Sequence, residues 1–208
     1  MDQCATGFPI TGKLSRNRVF DFKQPKNPLV GQSHLFSSAE SRFRERPAKS
    51  GTKNALLLLE ETLRHVHRGW MCKPVPLAES GKPEGFPPNG FNVAFRFGVE
   101  QASKLRACDD LRHSLANQAC LIATPIQLVS RAHLAQLCKR SCGDGRDWAL
   151  FKADHEAAYK KLPLAQADQR KAVIVLRRPT SGKRPGFLSR ALMFGATAAV
   201  LRYNVFRS

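Results

Sequence analysis

The chain is poor in acidic residues: sixteen Asp plus Glu stand against thirty-four Lys plus Arg, a formal charge of +18. That imbalance excludes a charge-neutral surface and implies a polyanionic partner, nucleic acid before anionic membrane. No apolar run approaches the roughly 18 residues a transmembrane helix needs. The opening residues, MDQCATGFP, lack the charged-then-apolar layout of a signal peptide. The expectation is a soluble intracellular protein of the nucleus or cytoplasm, with no membrane partner. Cys4, Cys72, Cys108, Cys120, Cys138 and Cys142 form no CxxC, so neither a disulfide framework nor a common zinc module is signalled. Reduced thiols suit that compartment. His133, Cys138 and Cys142 come nearest to a metal cluster, but they fall at helical spacings within an amphipathic pattern, and no zinc is expected.

Apolar residues make up 42% of the 208, enough to build a core in one domain or two small ones. Residues 1–50 mix Gly, Pro, Ser and Arg without a sustained period and read as a loosely ordered basic lead segment, with a short basic helix in SAESRFRERPAK. Thr52 to Arg68 carries one apolar face and meets Gly69 as its stop. His65 and His67 sit in its last turn, two residues apart and so pointing away from each other, where cations suit the helix dipole. Pro74 to Gly90 holds five of the thirteen prolines and is a linker that completes a 51–90 unit.

Residues 91–145 hold a hairpin, NVAFRFGVE against KLRACDDLR, and then a helix with Thr124 as cap and Pro125 at its first position, running to Cys142. Residues 146–208 hold a strand DWALFKAD, a short helix, a second hairpin (AVIVLRR, turn PTSGKRPG, GFLSRALMF) and a closing helix GATAAVLRYNVF. The order predicts an α+β fold around a mostly antiparallel sheet with packed helices.

The stretch FKADHEAAYKKLPL sets Asp154 at a strand tip with a helix behind it. A carboxylate so placed is either a helix N-cap or a rigidly held ligand for a hard cation. With Tyr159 five residues on and Pro163-Leu164 at nine and ten, it resembles the palm motif of reverse transcriptases, the RNA-directed DNA polymerases of retroelements. Two further blocks resemble the same family in the same order. KLRACDDLRHSLAN is similar to the fingers motif through Lys104, Arg106, Asp110 and Arg112, and LMFGATAAV to the apolar-Phe-Gly motif through Phe194 and Gly195. The likeness runs from about Val93 to Phe206. It departs from the pattern in two places: Asn117 lies two residues late, and the aromatic-x-Asp-Asp block that follows the Phe-Gly helix has no counterpart in these 208 residues.

The resemblance implies the fingers and part of the palm of a right-hand polymerase fold, incomplete at its C-terminal end. It implies Mg2+ or Mn2+ held by Asp154, with Lys104 and Arg106 on the triphosphate of a deoxynucleotide. Tyr159 would lie beneath the sugar as a steric selector against a 2′-hydroxyl. Phe194 and Gly195 would also line the nucleotide site, Gly195 allowing close approach of nucleotide or template strand. Asp110, Arg112 and Pro163 would be structural supports; apart from the resemblance, Asp110 and Arg112 read simply as an ion pair fixing the hairpin. RNA template and DNA primer are the implied partners. Two-ion nucleotidyl transfer needs several carboxylates, so a chain with Asp154 alone is expected to be inactive. The other reading is a non-catalytic, basic nucleic-acid-binding protein derived from such a domain.

Overall fold

A computed structural model of the chain describes residues 6–14, 29–45, 52–79, 81–84, 90–101, 104–122, 130–142, 154–179 and 181–207. The expected cap at Thr124 and Pro125, and the strand before Asp154, lie outside them. The elements in chain order are β1 (Gly12–Lys13), α1 (Gln32–Ser37), α2 (Ala39–Glu45), α3 (Thr52–His67), β2 (Val93–Gln101), β3 (Lys104–Asp109), β4 (Cys120–Leu121), α4 (Arg131–Cys142), a 3-10 turn (Ala158–Lys161), α5 (Gln166–Gln169), β5 (Val173–Val175), β6 (Gly186–Leu188) and α6 (Thr197–Arg207).

The α+β expectation holds. α3 buries Ala55, Leu58, Thr62 and His65, three or four residues apart, which is the stripe its periodicity required. Gly69, at φ 74°, ends it in a Schellman motif: the Trp70 N–H reaches the His65 carbonyl and the Gly69 N–H the Val66 carbonyl, both at 3.0 Å. Both hairpins form, β2 against β3 and β5 against β6. The central sheet runs β3-β2-β5-β6, and its middle joint, Val93 to Phe95 against Val173 to Val175, is parallel. The sheet is therefore mixed, and the segments 91–145 and 146–208 share it.

Alternation along β2 and β5 sorts the core into two layers. Ala94 and Ile174 face a large cluster with Leu58, Phe187, Leu192, Ala199 and Leu201. Val93, Phe95, Val173 and Val175 face a smaller one with Ala39 and Phe43 of α2 and with Phe91. The expectation for residues 1–50 needs correction over their described parts. Phe8, Ile10 and Leu14 belong to the large cluster. The Phe8 N–H donates to the Pro163 carbonyl (2.8 Å), the Ile10 N–H donates to Asp168 Oδ2 (2.7 Å), and β1 pairs in parallel with β4. Isolated apolar residues in a polar stretch gave no period to read, yet each fills a pocket between later segments. No helix among the described residues is long and apolar enough to cross a membrane.

Candidate functional site

The chain leaving Asp154 does not run straight into a regular helix. Ala157 adopts a left-handed conformation, φ 52°, and one 3-10 turn follows, with Ala157 rather than Asp154 at its cap and no side-chain capping bond. The capping role is thus not the one Asp154 fills; its residue is exposed at the lip of a cleft of about 600 Å³. That cleft lies among the end of α3, strand β3, residues 154–160 and Phe194.

Three stretches far apart in sequence meet there. The Arg106 guanidinium carbon stands 5.1 Å from the centre of the Phe194 ring, a cation–π contact. The Tyr159 ring lies 6.1 Å from Phe194 and, edge-on, 5.5 Å from Tyr203. Tyr203 hydrogen-bonds through its hydroxyl to His155 Nδ1. Tyr159 and Phe194 also line a second hollow of about 600 Å³, with Gly195 and Thr197, so the pair forms a ridge between two concavities. Arg68, at the exit of α3, pairs with Glu156 at 3.3 Å on the cleft rim.

The remaining residues of the resemblance fall around this centre. Lys104 opens β3 opposite Gln101. Gly195 has φ 100°, and a Cβ there would stand 2.8 Å from the Asp109 carbonyl oxygen. The close approach that only glycine permits is therefore to the chain itself. Asn117 secures the same corner: its Nδ2 donates to the Gly195 carbonyl and its Oδ1 accepts the Thr197 N–H, both at 2.9 Å, capping α6 from outside the helix. Asp110 Oδ1 accepts the His113 N–H at 2.9 Å and Arg112 is exposed. The buried ion pair across the hairpin is a different one, Arg96 with Asp109. Pro163 supports the fold through its carbonyl, bonded to Phe8, and through an antiparallel bridge to Ala191.

Beneath the cleft lies a group of charges that sequence reasoning did not find. Arg96 Nε and Nη2 donate to Asp109 Oδ1 and Oδ2 at 2.7 and 3.0 Å, with both side chains excluded from solvent. Burial pushes the Asp109 carboxyl up, but Arg96, by charge and hydrogen bonds, and Lys160, by charge, outweigh it and hold the group below its ordinary range. Arg96 Nη1 also contacts Thr62 Oγ1 (3.2 Å) and His65 Nδ1 (3.3 Å). His65 is not the helix-end cation its position suggested. Burial and the neighbouring Arg96 lower its pKa to about 3, so it is neutral. Lys160 Nζ is buried without a hydrogen-bond partner, and burial brings its pKa down to about 8 against the attraction of Asp109. A Lys-Lys pair in sequence reads as a solvated face. Both stand on the 3-10 turn Ala158–Lys161, where successive side chains point about 120° apart, leaving Lys161 exposed and the Lys160 ammonium turned inward.

The divalent ions implied by the resemblance require several carboxylates at one point. Among the described residues no group of three His, Cys, Asp or Glu side chains is arranged to hold a metal ion. No Asp or Glu follows Asp168 in the sequence. Asp154, with Glu156 engaged by Arg68 and His155 by Tyr203, does not fit a two-ion set. Neither a family model, nor a curated protein, nor a solved structure matches the chain.

Proposed function

We propose that the chain is a fingers-and-palm unit resembling those of reverse transcriptases, whose cleft takes the triphosphate of a nucleotide beside a bound nucleic-acid strand. The observation that carries this reading is the meeting of Arg106, Tyr159 and Phe194 beside Asp154. These residues come from three separate sequence blocks, and their types suit charge, sugar and base. Arg106 offers fork-like donors to phosphate oxygens. Tyr159 and Phe194 offer a hydrophobic ridge for the sugar and base. Lys160 adds positive charge from below. The net charge of +18 supports a polyanion as the wider partner. With Asp154 alone, the unit binds and orients, and nucleotidyl transfer by these 208 residues is not expected.

Equilibrium binding of a fluorescent deoxynucleoside triphosphate tests the reading, with the matching monophosphate as control. Triphosphate should bind more tightly. Arg106→Ala should weaken triphosphate binding about tenfold or more, the worth of one charge-assisted contact, while leaving the monophosphate nearly unaffected. Equal affinity for both nucleotides, or indifference to Arg106→Ala, would defeat it. The reading as a non-catalytic nucleic-acid binder predicts salt-dependent oligonucleotide binding with no triphosphate site.

A further inference from the structure

We propose a second nucleic-acid contact on the opposite face of the sheet: the cavity of about 900 Å³ between residues 74–79 and the β5–β6 turn docks single-stranded nucleic acid. The inference rests on the nucleic-acid partner proposed above but not on the cleft. Strand alternation separates the two places. Phe43 and Leu77, which line this cavity, pack with Val93, Phe95, Val173 and Val175, whereas Tyr159 and Leu105 of the cleft pack on the other core layer.

Charge decides the kind of partner. The last forty residues, 169–208, contain nine Lys and Arg and no acid. The turn within them contributes Arg178, Lys183 and Arg184 to the cavity, against one lining carboxylate, Glu79. Among the described residues neither Arg178 nor Lys183 takes part in an ion pair, and both are exposed. The turn that carries them is held in place: the Arg178 N–H donates to the Lys183 carbonyl at 2.8 Å and the Gly182 N–H to the Arg178 carbonyl at 3.0 Å. Arg184 is fixed differently. Its guanidinium carbon stands 5.1 Å from the centre of the Phe43 ring and its Nη1 donates to the Phe43 carbonyl at 3.4 Å, so a planar cation is presented half-buried.

Pro74, Val75, Pro76 and Leu77 supply an apolar part of the lining, with Val75 bridged to Gly186 beside the cationic turn. Cations and an apolar surface lining one cavity, with a guanidinium held against Phe43 among them, suit an extended strand that offers phosphates to the cations and unstacked bases to the apolar surface. A duplex keeps its bases inside and has no use for that surface.

Fluorescence anisotropy with a labelled 20-nucleotide oligo(U) and a 20-base-pair duplex tests the assignment on the full chain. Arg178→Glu with Lys183→Glu should weaken oligo(U) binding at least tenfold. It should also reduce the log–log salt slope by about 1.4, the value for two lost single-strand phosphate contacts, with an unchanged circular dichroism spectrum. Arg178→Gln with Lys183→Gln should give a smaller loss in the same direction, and decides by the same criteria if the reversed pair misfolds. If neither pair changes affinity or slope while Arg106→Glu weakens binding, this proposal falls and the cleft reading stands. Absence of salt-dependent binding by the unmodified chain overturns the nucleic-acid partner and this proposal with it. A loss confined to duplex, or matched by loss of a poly-Glu peptide, overturns the single-strand assignment.

Discussion

Replacing Lys160 with methionine should make the protein more stable. The ammonium lies behind the cleft with no hydrogen-bond partner, and the one fully buried carboxylate near it, Asp109, already accepts two bonds from Arg96. The fall of its pKa from 10.5 to about 8, at about 1.4 kcal/mol per pH unit, puts the cost of keeping it charged at about 3 kcal/mol. Methionine fills much of the same volume without a charge, and Asp109 keeps both Arg96 bonds, so at pH 7 the variant should gain about 2–3 kcal/mol. The pH dependence gives an independent check. Below about pH 8 both folded and unfolded chains hold the proton and the cost is present in full. Between about 8 and 10.5 the unfolded chain retains a proton that the folded one has released, so folded stability rises with pH through that window. Urea denaturation followed by tryptophan fluorescence, Trp70 lying against His65 at 5.3 Å, measures both effects. The advantage of the variant should shrink by about 2 kcal/mol between pH 7.5 and 9.5. A variant less stable than the parent at pH 7, by a margin that does not vary with pH, would refute the reasoning.

Three other perturbations follow from the same geometry. Gly195→Ala puts a Cβ 2.8 Å from the Asp109 carbonyl at φ 100° and should cost about 1–3 kcal/mol; an unchanged melting temperature would contradict that placement. Asn117→Ala leaves the Thr197 N–H and the Gly195 carbonyl without their partner and should cost about 1–2 kcal/mol. Asn117→Asp should recover only part of this, because it accepts from Thr197 but cannot donate to Gly195. His65 stays neutral in the folded state until about pH 3, whereas the unfolded chain takes up the proton near 6.5. Stability should therefore fall as pH drops through that interval, and His65→Gln should flatten the fall in an acid titration followed by circular dichroism.

The elements that local pattern specifies were legible. α3 carries its stripe and its glycine stop, and both hairpins carry alternation on either side of a turn. What joins them was not. The parallel joint of β2 to β5 brings together residues about eighty positions apart, Val93 and Val173, and depends on which faces of the two strands are buried, a property of the assembled core. The same limit hid the lead segment, whose Phe8, Ile10 and Leu14 are anchored by Pro163, Asp168 and the β4 strand rather than by any periodicity of their own. At the site, residue types were legible and their conformational reasons were not. Gly195 was read for space toward a ligand, yet its own backbone corner already demands it. Asp110 and Arg112 were read as the pair that fixes the hairpin; the carboxylate that does so is the preceding residue, Asp109, and its partner, Arg96, stands opposite it on β2.

Stability and function commonly trade off at a binding site, and on the reading proposed above Lys160 would act on a triphosphate in the cleft over it. Arg96 and Lys160 share Asp109, and Glu61 on the cleft lining also attracts the lysine, so below about pH 8 the ammonium adds a positive charge beneath the cleft that these carboxylates offset in part. At an effective dielectric of about 20, two unit charges about 8 Å apart interact by about 2 kcal/mol before salt screening, which is the scale on which the ammonium would act on a phosphate in the cleft. The stabilising Lys160→Met change should therefore weaken triphosphate binding several-fold while raising the melting temperature. A merely structural lysine gives no such split. The loss should also fade above pH 8, where the parent releases the same proton. Raised stability with triphosphate affinity unchanged at pH 7 would leave the buried charge without a ligand to act on.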